Sequence, residues 1–364
     1  MTKKNILIAT GGTGGHVFPA YSLASYLINN NYNVKITTDE RGLVYLKNNN
    51  NLQILKIPSS PLVKKNILQL SYSLFTIFYS LIKSFLYLIF NRPYLIFGMG
   101  GYSSLPICIA AIILRIKFVI YENNLIIGKA NKYLLPFAKK LFVSYKELEG
   151  VQKKYNKKIL EIGNIIREEI INSQIFIQEN DELDKIGILV LGGSQGARVF
   201  AEELPAIFKK LKNSLPSIKI YQQCQKNQNE QLSNFYKNAG IDYEIFSFSE
   251  KIINYYSKVN LVISRSGASV LGELINMNKP FILIPLPTAA DDHQHKNAEF
   301  YQKKGYGFLL REKDIKEKLH DLIKSIYKDK SILKSIISKQ RKYSDKNVFK
   351  NLNIEIEKII NEKN

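Results

Sequence analysis

The sequence predicts an α/β protein with two doubly wound domains, each built on a parallel sheet. Short apolar runs alternate with segments of helical spacing along most of the chain, as in parallel βαβ units. The segment GGTGGHVFPA, which begins at Gly11, has a counterpart in GGSQGARVFA 181 residues later. A length of 364 residues is enough for two domains with full cores. One supersecondary unit is therefore expected at the head of each domain.

In the first half, short runs rich in Ile, Leu and Val are typical of buried strands. These predicted strands are residues 6–9, 33–37, 52–57, 94–97, 118–121 and 141–143. Helical spacing follows at 19–27 and 105–114, after glycine turns at 10–16 and 98–104. The first domain is expected to end near residue 162, before a polar, acidic loop at 172–185.

The second half repeats this scheme from residue 163 to about 340. Its predicted strands are residues 186–191, 218–222, 243–248, 260–264 and 281–285, with a polar loop at 288–297. From Ile315 the chain is basic and amphipathic. A last helix, within residues 341–364, is expected to return to the first domain.

The longest apolar run, residues 67–90, has Lys83 as its sole charge. Its length would suffice to span a bilayer, which takes roughly 20 apolar residues. Polar residues recur at steps of three and four from Gln69 to Tyr87, opposite an apolar stripe. Because a spanning helix would place the flanking strands on opposite sides of a membrane, we interpret the run as a crossover helix. Its N-terminal part is expected to present an apolar patch between Lys64, Lys65 and Arg92, suited to a membrane face.

Composition excludes several classes of protein. The content of 45% hydrophobic and 23% charged residues is that of a globular protein. The two cysteines lie in unrelated contexts, so neither a disulfide framework nor a cysteine metal site is expected, and a cytoplasmic setting fits. The net charge of +21 comes without arginine-rich patches interleaved with aromatic residues, so we expect no nucleic-acid partner. Attraction to anionic lipid is the favoured use of the charge, against a plain solvated surface.

The first glycine turn favours a phosphate cradle over a plain tight turn. Glycines let the backbone approach a ligand, and N–H groups that open the next helix attract an anion such as a diphosphate. The pattern is neither that of a dinucleotide fold nor that of a P-loop. His16 lies at the exit of this turn, where a neutral imidazole is suited to take a proton from a hydroxyl; the alternative is a residue that braces the loop.

A second candidate site lies at residues 264–273. Backbone N–H groups at 267–269 are suited to a diphosphate, and Glu273, farther along the same helix, is suited to the two ribose hydroxyls. Two glycine turns in two domains indicate an enzyme with two phosphorylated substrates. A dinucleotide oxidoreductase remains an alternative, because Asp39 and Glu40 lie near the end of the second strand.

Seven motifs, in order along almost the whole chain, carry a family resemblance. They are GGTGGHVFPA, GMGGYSS, YENN, GNIIR, GGSQGAR, the SRSGAS helix with its Glu273, and PLPTAADDHQHKNA. In this the sequence resembles the MurG family, the UDP-N-acetylglucosamine transferases that complete lipid II in peptidoglycan synthesis. The resemblance implies a GT-B fold, with two Rossmann-like domains facing across a cleft. It further implies inverting, metal-independent transfer of GlcNAc to the 4-hydroxyl of MurNAc in undecaprenyl-diphospho-MurNAc-pentapeptide (lipid I), without a cofactor.

The resemblance also implies roles for individual residues. His16 matches a histidine proposed as base, with Glu122 as the other candidate for that role. Thr13, Gly14 and Gly15 match the loop near the transferred sugar and the acceptor diphosphate. The implied donor contacts are Asn124 at GlcNAc, Arg167 at the nucleotide, Ser194 at a phosphate, Ser249 at the uracil, the helix start Ala268, Ser269, Val270, Leu271, Gly272 and Glu273, and Gln294 at sugar hydroxyls.

Two motifs depart from the family pattern. The motif Tyr121-Glu122-Asn123-Asn124 replaces His-Glu-Gln-Asn, which removes a histidine. The motif Gly163-Asn164-Ile165-Ile166-Arg167 replaces Gly-Asn-Pro-Val-Arg, which removes a proline that would stiffen the linker. The resemblance places the protein at the cytoplasmic face of the inner membrane, as a peripheral protein, with proteins of cell-wall synthesis as further partners. The alternatives are another GT-B transferase with a lipid acceptor, such as diacylglycerol, and a non-catalytic protein that binds nucleotide sugars at a membrane surface.

Overall fold

The computed structural model describes residues 3–46, 52–60, 66–173, 186–193, 197–247, 249 and 251–362. Contacts within the chain divide it into two compact units. Unit 1 comprises residues 1–168 and 345–364, and unit 2 comprises residues 169–344. These contacts divide the chain at 168/169 and at 344/345. The boundaries predicted from the sequence, 162/163 and 340/341, lie a few residues earlier in both cases.

Unit 1 contains a parallel sheet in the order β3-β2-β1-β4-β5-β6-β7. Its strands are β1 (Asn5–Ala9), β2 (Asn33–Thr38), β3 (Gln53–Lys56), β4 (Leu95–Gly98), β5 (Phe118–Glu122), β6 (Leu141–Val143) and β7 (Ile159–Glu161). The central strands β4, β5 and β6 are buried along their whole length, which explains their continuous apolar sequence. β7 was missed by the sequence analysis, because its three residues are only partly buried and give no apolar run.

Helices connect these strands and cover the sheet. They are α1 (Gly14–Asn29), α2 (Glu40–Leu43), α3 (Ile67–Phe90), α4 (Leu105–Ile113), α5 (Lys129–Leu134) and the C-terminal α14 (Val348–Asn361). α14 packs on α1, where the rings of Tyr26 and Phe349 stack with 4.8 Å between their centroids. α1 begins at Gly14, five residues earlier than the predicted start, so the prediction of a turn over 10–16 was wrong at its end. Glycine disfavours a helix through its backbone entropy, so the two glycines at 14 and 15 predicted a turn where the structure has the start of α1.

Unit 2 contains a second parallel sheet, in the order β10-β9-β8-β11-β12-β13. Its strands are β8 (Gly187–Leu191), β9 (Lys219–Gln223), β10 (Asp242–Phe246), β11 (Leu261–Ser264), β12 (Phe281–Leu283) and β13 (Phe308–Leu309). β13, with two half-buried residues, was not predicted. The order has β8 between β9 and β11, so the chain reverses direction across the sheet beside β8. Such a switch point places ligands at the carboxyl ends of the strands.

The remaining helices are short or amphipathic. They are α6 (Glu168–Asn172), α7 (Arg198–Ser214), α8 (Asn229–Asn238), α9 (Ile253–Tyr256), α10 (Ala268–Asn276), α11 (His293–Lys303), α12 (Ile315–Lys328) and α13 (Lys330–Gln340). The predicted polar loop at 288–297 was wrong, because residues 293–297 belong to α11. This helix escaped detection because few of its side chains are buried, chiefly Ala298 and Tyr301 with the polar Asn297.

The long apolar helix α3 is a crossover, as predicted. It joins β3 to β4, which belong to the same parallel sheet. The helix is long and apolar enough to span a membrane by length and composition, and 22% of its most apolar window is buried. Its connection to one sheet at both ends favours the crossover.

The inner face of α3 is unusual, because serines lie there together with the buried Leu88, while many of the large apolar side chains lie outward. Ser73, Ser80 and Ser84 are fully buried. The Ser80 hydroxyl donates to the Pro58 carbonyl over 2.7 Å, and Ser84 donates to the Ser80 carbonyl. Small hydroxyl side chains let the helix lie close to the sheet while their hydroxyl groups stay hydrogen-bonded. The exposed side chains include Ile67, Leu68, Tyr72, Leu74, Phe75, Phe78, Leu86, Ile89 and Phe90.

A buried polar network fixes the chain where it leaves the sheet of unit 1. The Asp345 carboxylate accepts from the backbone N–H of Asn164 over 2.9 Å and from its side-chain amide over 3.1 Å. The Tyr121 hydroxyl lies 2.9 Å from the Ser144 hydroxyl and accepts from the N–H of Ile165 over 3.0 Å. Burial raises the pKa of Tyr121 well above its ordinary value, so its hydroxyl stays neutral.

The two departures from the family pattern thus meet in one hydrogen bond. A proline at 165 would have no N–H, whereas Ile165 has one that is buried and needs an acceptor. Tyr121 supplies that acceptor. The Tyr121 hydroxyl thus pairs an N–H group that a proline at 165 would lack.

We expect Tyr121→Phe to destabilise the protein by about 1–3 kcal/mol, because it leaves the Ile165 N–H buried without an acceptor. In an Ile165→Pro background, where that N–H is gone, the same change should cost clearly less. Thermal or urea unfolding of the wild type, both single variants and the double variant measures this coupling. Additive effects would mean that the Tyr121 hydroxyl does not serve Ile165.

Candidate active site

The first glycine turn joins β1 to α1 and needs glycine at two positions. Gly12 has φ +80°, a left-handed conformation that glycine adopts without strain. A side chain at Gly11 would collide with Ser103, which belongs to the second glycine turn. Thr13 is exposed and has an extended backbone, while Gly14 and Gly15 open α1. The two turns of unit 1 therefore lie against each other at the carboxyl ends of neighbouring strands.

His16 lies in the first turn of α1, with its imidazole against the second glycine turn. A Cβ built on Gly100 would lie 3.4 Å from His16 Cε1, and one on Gly101 would lie 3.4 Å from Cδ2. Both glycines have positive φ, +82° and +73°. The side chain is half-buried. These glycines leave room for the imidazole ring and keep it in one place.

Glu122, at the end of β5, is surrounded by hydrogen-bond donors. Its Oε1 accepts from the backbone and side-chain nitrogens of Asn124, over 3.1 and 3.0 Å. Its Oε2 accepts from Gly128 N over 2.8 Å and from Asn131 Nδ2 over 3.0 Å. The carboxylate is 3% exposed. With four donors on two oxygens, Glu122 is suited to orient Asn124.

Pro19 links the strand end at β5 to the first turn of α1. A proline inside a helix leaves the carbonyl four residues earlier without its usual helical donor. Here that carbonyl belongs to Gly15, and it accepts from Asn123 Nδ2 over 3.3 Å. The asparagine next to Asn124 is thereby attached to the segment that carries His16. Unit 1 therefore brings Thr13, Gly14, Gly15 and His16 together with Glu122 and Asn124.

Asp39 does not have the free carboxylate that a dinucleotide-binding site needs. It is buried at the end of β2, and its Oδ1 accepts from the N–H groups of Gly12 and Gly42, each over 2.9 Å. Its Oδ2 accepts from the hydroxyls of Ser59 and Ser103, over 2.7 and 3.0 Å. These donors hold the pKa of Asp39 well below its usual range despite burial. Its oxygens serve the loops of unit 1 instead of a ribose, which speaks against the oxidoreductase alternative.

In unit 2, β11 leads through residues 265–267 into α10. Gly267 is the N-cap, with an extended backbone and open space where a side chain would be. Ala268, Leu271 and Gly272 are buried, whereas Ser269 and Val270 are half-buried. The nine-residue helix carries Glu273 inward, 8% exposed, where Tyr256 donates its hydroxyl to Oε2 over 3.0 Å. No motif in the sequence indicated Tyr256.

Gln294 lies in the first turn of α11, beside the same loop. Its Oε1 accepts from the Leu286 N–H over 3.0 Å, so the amide NH₂ is the end suited to donate to a ligand. Its own carbonyl accepts from the Ser266 hydroxyl over 2.7 Å. Asn297 Nδ2 donates to the Ser266 carbonyl over 3.1 Å. These bonds hold the start of α11 against the loop that opens α10, so unit 2 brings Gln294 to the 264–273 segment.

Three predicted site residues are placed less fully. Arg167 is half-buried in the segment after the Tyr121 network, in unit 1. Ser249 is half-buried, and both of its neighbours lie outside the described residues, as does Ser194 itself. Within the described ranges, no group of three or more His, Cys, Asp or Glu side chains is arranged to hold a metal ion.

The comparisons with known proteins agree with this architecture. Residues 6–143 match the glycosyltransferase family 28 N-terminal domain, and residues 187–352 match the glycosyltransferase family 28 C-terminal domain. Two units with parallel sheets and these two domain types define a glycosyltransferase of the GT-B fold.

Relatives extend over the whole chain. The UDP-N-acetylglucosamine–N-acetylmuramyl-(pentapeptide) pyrophosphoryl-undecaprenol N-acetylglucosamine transferase of Pelagibacter ubique is 36% identical, over 99% of both chains. The protein of that name from Rickettsia bellii is 34% identical, over 91% of this chain and 93% of its own. The crystal structure of Acinetobacter baumannii MurG superposes with a TM-score of 0.76 at 26% identity, covering 98% of this chain and 99% of that one. The chain therefore belongs to the MurG family of glycosyltransferases.

Proposed function

We propose that the protein transfers GlcNAc from UDP-GlcNAc to the 4-hydroxyl of MurNAc in undecaprenyl-diphospho-MurNAc-pentapeptide, which gives lipid II. The observation that carries this proposal is similarity along 99% of the chain to a transferase with this substrate name. The geometry of each unit supports it. Unit 1 holds an imidazole beside two glycine turns, and unit 2 holds a buried carboxylate behind the start of a helix.

In the proposed reaction, His16 takes the proton of the MurNAc 4-hydroxyl. The hydroxyl oxygen then forms a bond to C1 of GlcNAc as the bond from C1 to the phosphate oxygen breaks. UDP leaves with that electron pair, and the configuration at C1 is inverted. Backbone N–H groups at the start of α10 stabilise the charge on the departing diphosphate, in the manner of other helix-start anion sites. Glu122 positions Asn124 instead of taking the proton, because its oxygens already accept four hydrogen bonds.

The other predicted residues complete the proposed site. Asn124 and Gln294 contact the sugar, the latter through the amide NH₂ that its bond to Leu286 leaves pointing away. Glu273 binds the ribose hydroxyls, and Arg167, Ser194 and Ser249 contact the nucleotide. Thr13, Gly14 and Gly15 lie at the acceptor diphosphate.

Transfer from radiolabelled UDP-GlcNAc to two acceptors tests the proposal. The full-length protein should glycosylate the undecaprenyl-linked MurNAc-pentapeptide and leave diacylglycerol unchanged. Glycosylated diacylglycerol would favour the other lipid-acceptor transferase. If the protein binds UDP-GlcNAc but forms neither product, the result would favour a non-catalytic protein that binds nucleotide sugars.

We further propose that the outer face of α3 docks on an anionic membrane surface, as in a peripheral protein at the cytoplasmic face. Phe75, Phe78 and Phe90 are 68%, 62% and 81% exposed there. Apolar surface of this extent on one helix is typical of an interaction site. The net charge of +21 and the exposed Arg92 at the end of α3 match an anionic lipid surface. Proteins of cell-wall synthesis are a further class of partner at the same location.

We expect the double variant Phe75→Ser, Phe78→Ser to bind vesicles of phosphatidylglycerol and phosphatidylethanolamine at least about tenfold more weakly, because each buried phenyl group contributes about 1.5–3 kcal/mol. Co-sedimentation with vesicles measures this. Ile354→Ser removes an exposed apolar side chain on α14 and serves as the control. Equal binding by the double variant and the wild type would remove α3 from the membrane contact.

A further inference from the structure

Asp39 gathers four separate segments of unit 1 around one buried carboxylate. The first glycine turn contributes the N–H of Gly12, and α2 contributes the N–H of Gly42. The segment before α3 contributes the Ser59 hydroxyl, and the second glycine turn contributes that of Ser103. Asp39 therefore sets the position of both glycine turns relative to each other, which makes it a positioning residue for whatever those turns bind.

Arg41 is the fifth partner of this carboxylate, and it differs from the others because it is half-exposed. Its Nε and Nη2 donate to Asp39 Oδ2 over 3.0 and 2.7 Å. Its side chain is 55% exposed, whereas that of Asp39 is 4% exposed. Two N–H groups of the guanidinium thus hold it in place, and three of its five N–H groups remain directed away from Asp39.

The fixed guanidinium lies beside the first glycine turn. A Cβ built on Gly12 would lie 3.7 Å from Arg41 Nη2. Because Gly12 has no side chain, this residue does not shield the guanidinium from a ligand bound at the turn. Glu40, between Asp39 and Arg41 in the sequence, is paired with Lys56. The Asp39 carboxylate also accepts from two backbone amides and two serine hydroxyls, so its negative charge is stabilised by neutral donors as well as by Arg41.

The Arg41 end of this ion pair is open to solvent, which weakens the attraction, so stability is a weak reason to fix an arginine here. A guanidinium with a fixed plane and free N–H groups is, in contrast, the usual partner for a phosphate. The position at the glycine turn is where the proposed function puts the diphosphate of the acceptor.

We propose that Arg41 binds the diphosphate of the lipid-linked acceptor and that Asp39 positions Arg41 and Gly12 for this contact. This inference rests on the proposed function for the identity of the acceptor. The preference for a diphosphate follows from the fixed guanidinium at the glycine turn, whereas the polyprenyl chain comes from the proposed function. The turn supplies backbone N–H groups, and Arg41 supplies the counter-charge.

Calorimetric titration of the full-length protein with geranyl diphosphate tests the contact without requiring transfer. We expect Arg41→Ala to weaken its affinity at least about tenfold, as for loss of a charge-assisted hydrogen bond. The affinity of Arg41→Lys should lie between those of the wild type and Arg41→Ala, because lysine keeps the charge but lacks the planar pair of N–H donors. The dependence of the affinity on salt should be less steep in Arg41→Ala, since one cation fewer faces the ligand. Affinity for UDP should stay unchanged in both variants.

Lys153→Ala is the matched control, because it removes one exposed cation of unit 1 away from the turn. It should leave geranyl diphosphate binding unchanged. Asp39→Asn should weaken binding with the Arg41 charge still present, and steady-state kinetics should show a raised KM for the lipid acceptor with an unchanged KM for the donor. A purely structural role for Asp39 would not produce that split.

Equal affinity of Arg41→Ala and the wild type for geranyl diphosphate would overturn the inference, as would failure of the wild type to bind this probe. The proposed function fails by a different result, namely absence of GlcNAc transfer by a wild-type protein that binds UDP-GlcNAc. A protein without transfer activity whose diphosphate binding still depends on Arg41 would support the contact and reject the reaction.

Discussion

His16→Ala is expected to lower kcat by roughly 10²- to 10⁴-fold, the range for loss of a general base. The imidazole lies in the first turn of α1, against two glycines whose positive φ values leave room for it. Of the two candidate bases in unit 1, His16 is the one at the glycine turns. The Glu122 carboxylate already accepts four hydrogen bonds. Removal of the ring leaves no proton acceptor for the incoming hydroxyl but does not touch the segment proposed to bind the donor.

The measurement is steady-state kinetics with both substrates, together with the affinity for UDP-GlcNAc by calorimetry. The affinity should be nearly unchanged, because α10 and Gln294 belong to unit 2. Glu122→Gln supplies the contrast. It should lower thermal stability and raise the donor KM through Asn124, with a smaller loss in kcat than His16→Ala. Full turnover in His16→Ala would exclude this histidine from the chemistry.

Most strands and the glycine turns could be predicted from the sequence, because buried parallel strands are continuous apolar runs. β4, β5 and β6 are buried on both faces, so their composition alone identifies them. β7 and β13 were missed, since they are short and only half-buried. The start of α11 was predicted to be a loop, because its sequence is polar and has no apolar stripe. Residues at this end of the helix form hydrogen bonds instead of packing in the core.

Motif spacing placed Glu122 at the end of a strand and Glu273 on a helix, as the structure has them, whereas it placed His16 at the exit of a turn and the structure has it in the first turn of α1. It could not reveal that Glu122 is saturated by donors, nor that Tyr256 lies behind Glu273, because these partners are distant in sequence or lack a pattern. Asp39 is close in sequence to two of its donor residues, Arg41 and Gly42, but the donors from Gly12, Ser59 and Ser103 come from segments that only the fold brings together.

The serine face of α3 illustrates the same limit in its packing. Periodicity shows that polar and apolar residues lie on opposite sides of a helix, but it does not say which side faces the protein. Here Ser73 and Ser80 form hydrogen bonds to the 58–60 segment, so the serine side packs inward. Leu81, Phe85 and the buried Leu88 also pack on the core, so the apolar stripe lies outward only in part. The predicted patch was limited to the N-terminal part of the helix, whereas Phe90 at the other end is also exposed.

Glu273→Ala is expected to weaken UDP-GlcNAc binding by about 10- to 100-fold, because two hydrogen bonds from ribose hydroxyls to a buried carboxylate are lost. The carboxylate lies one and a half turns into α10, 8% exposed, and Tyr256 holds Oε2. The rise should appear in the donor KM, with kcat at saturating donor affected less, since binding to the ribose is the same in the ground state and the transition state.

Tyr256→Phe separates a role in positioning from one in folding. It keeps the ring in the core and removes only the hydroxyl that donates to Glu273. If Glu273 contacts the ribose, freeing Oε2 should raise the donor KM a few-fold while acceptor KM stays the same. Affinity for UDP should fall with that for UDP-GlcNAc in both variants, because the ribose belongs to the nucleotide and not to the sugar. An unchanged donor KM in Glu273→Ala would reject the ribose contact and leave the helix-start amides as the main donor site of unit 2.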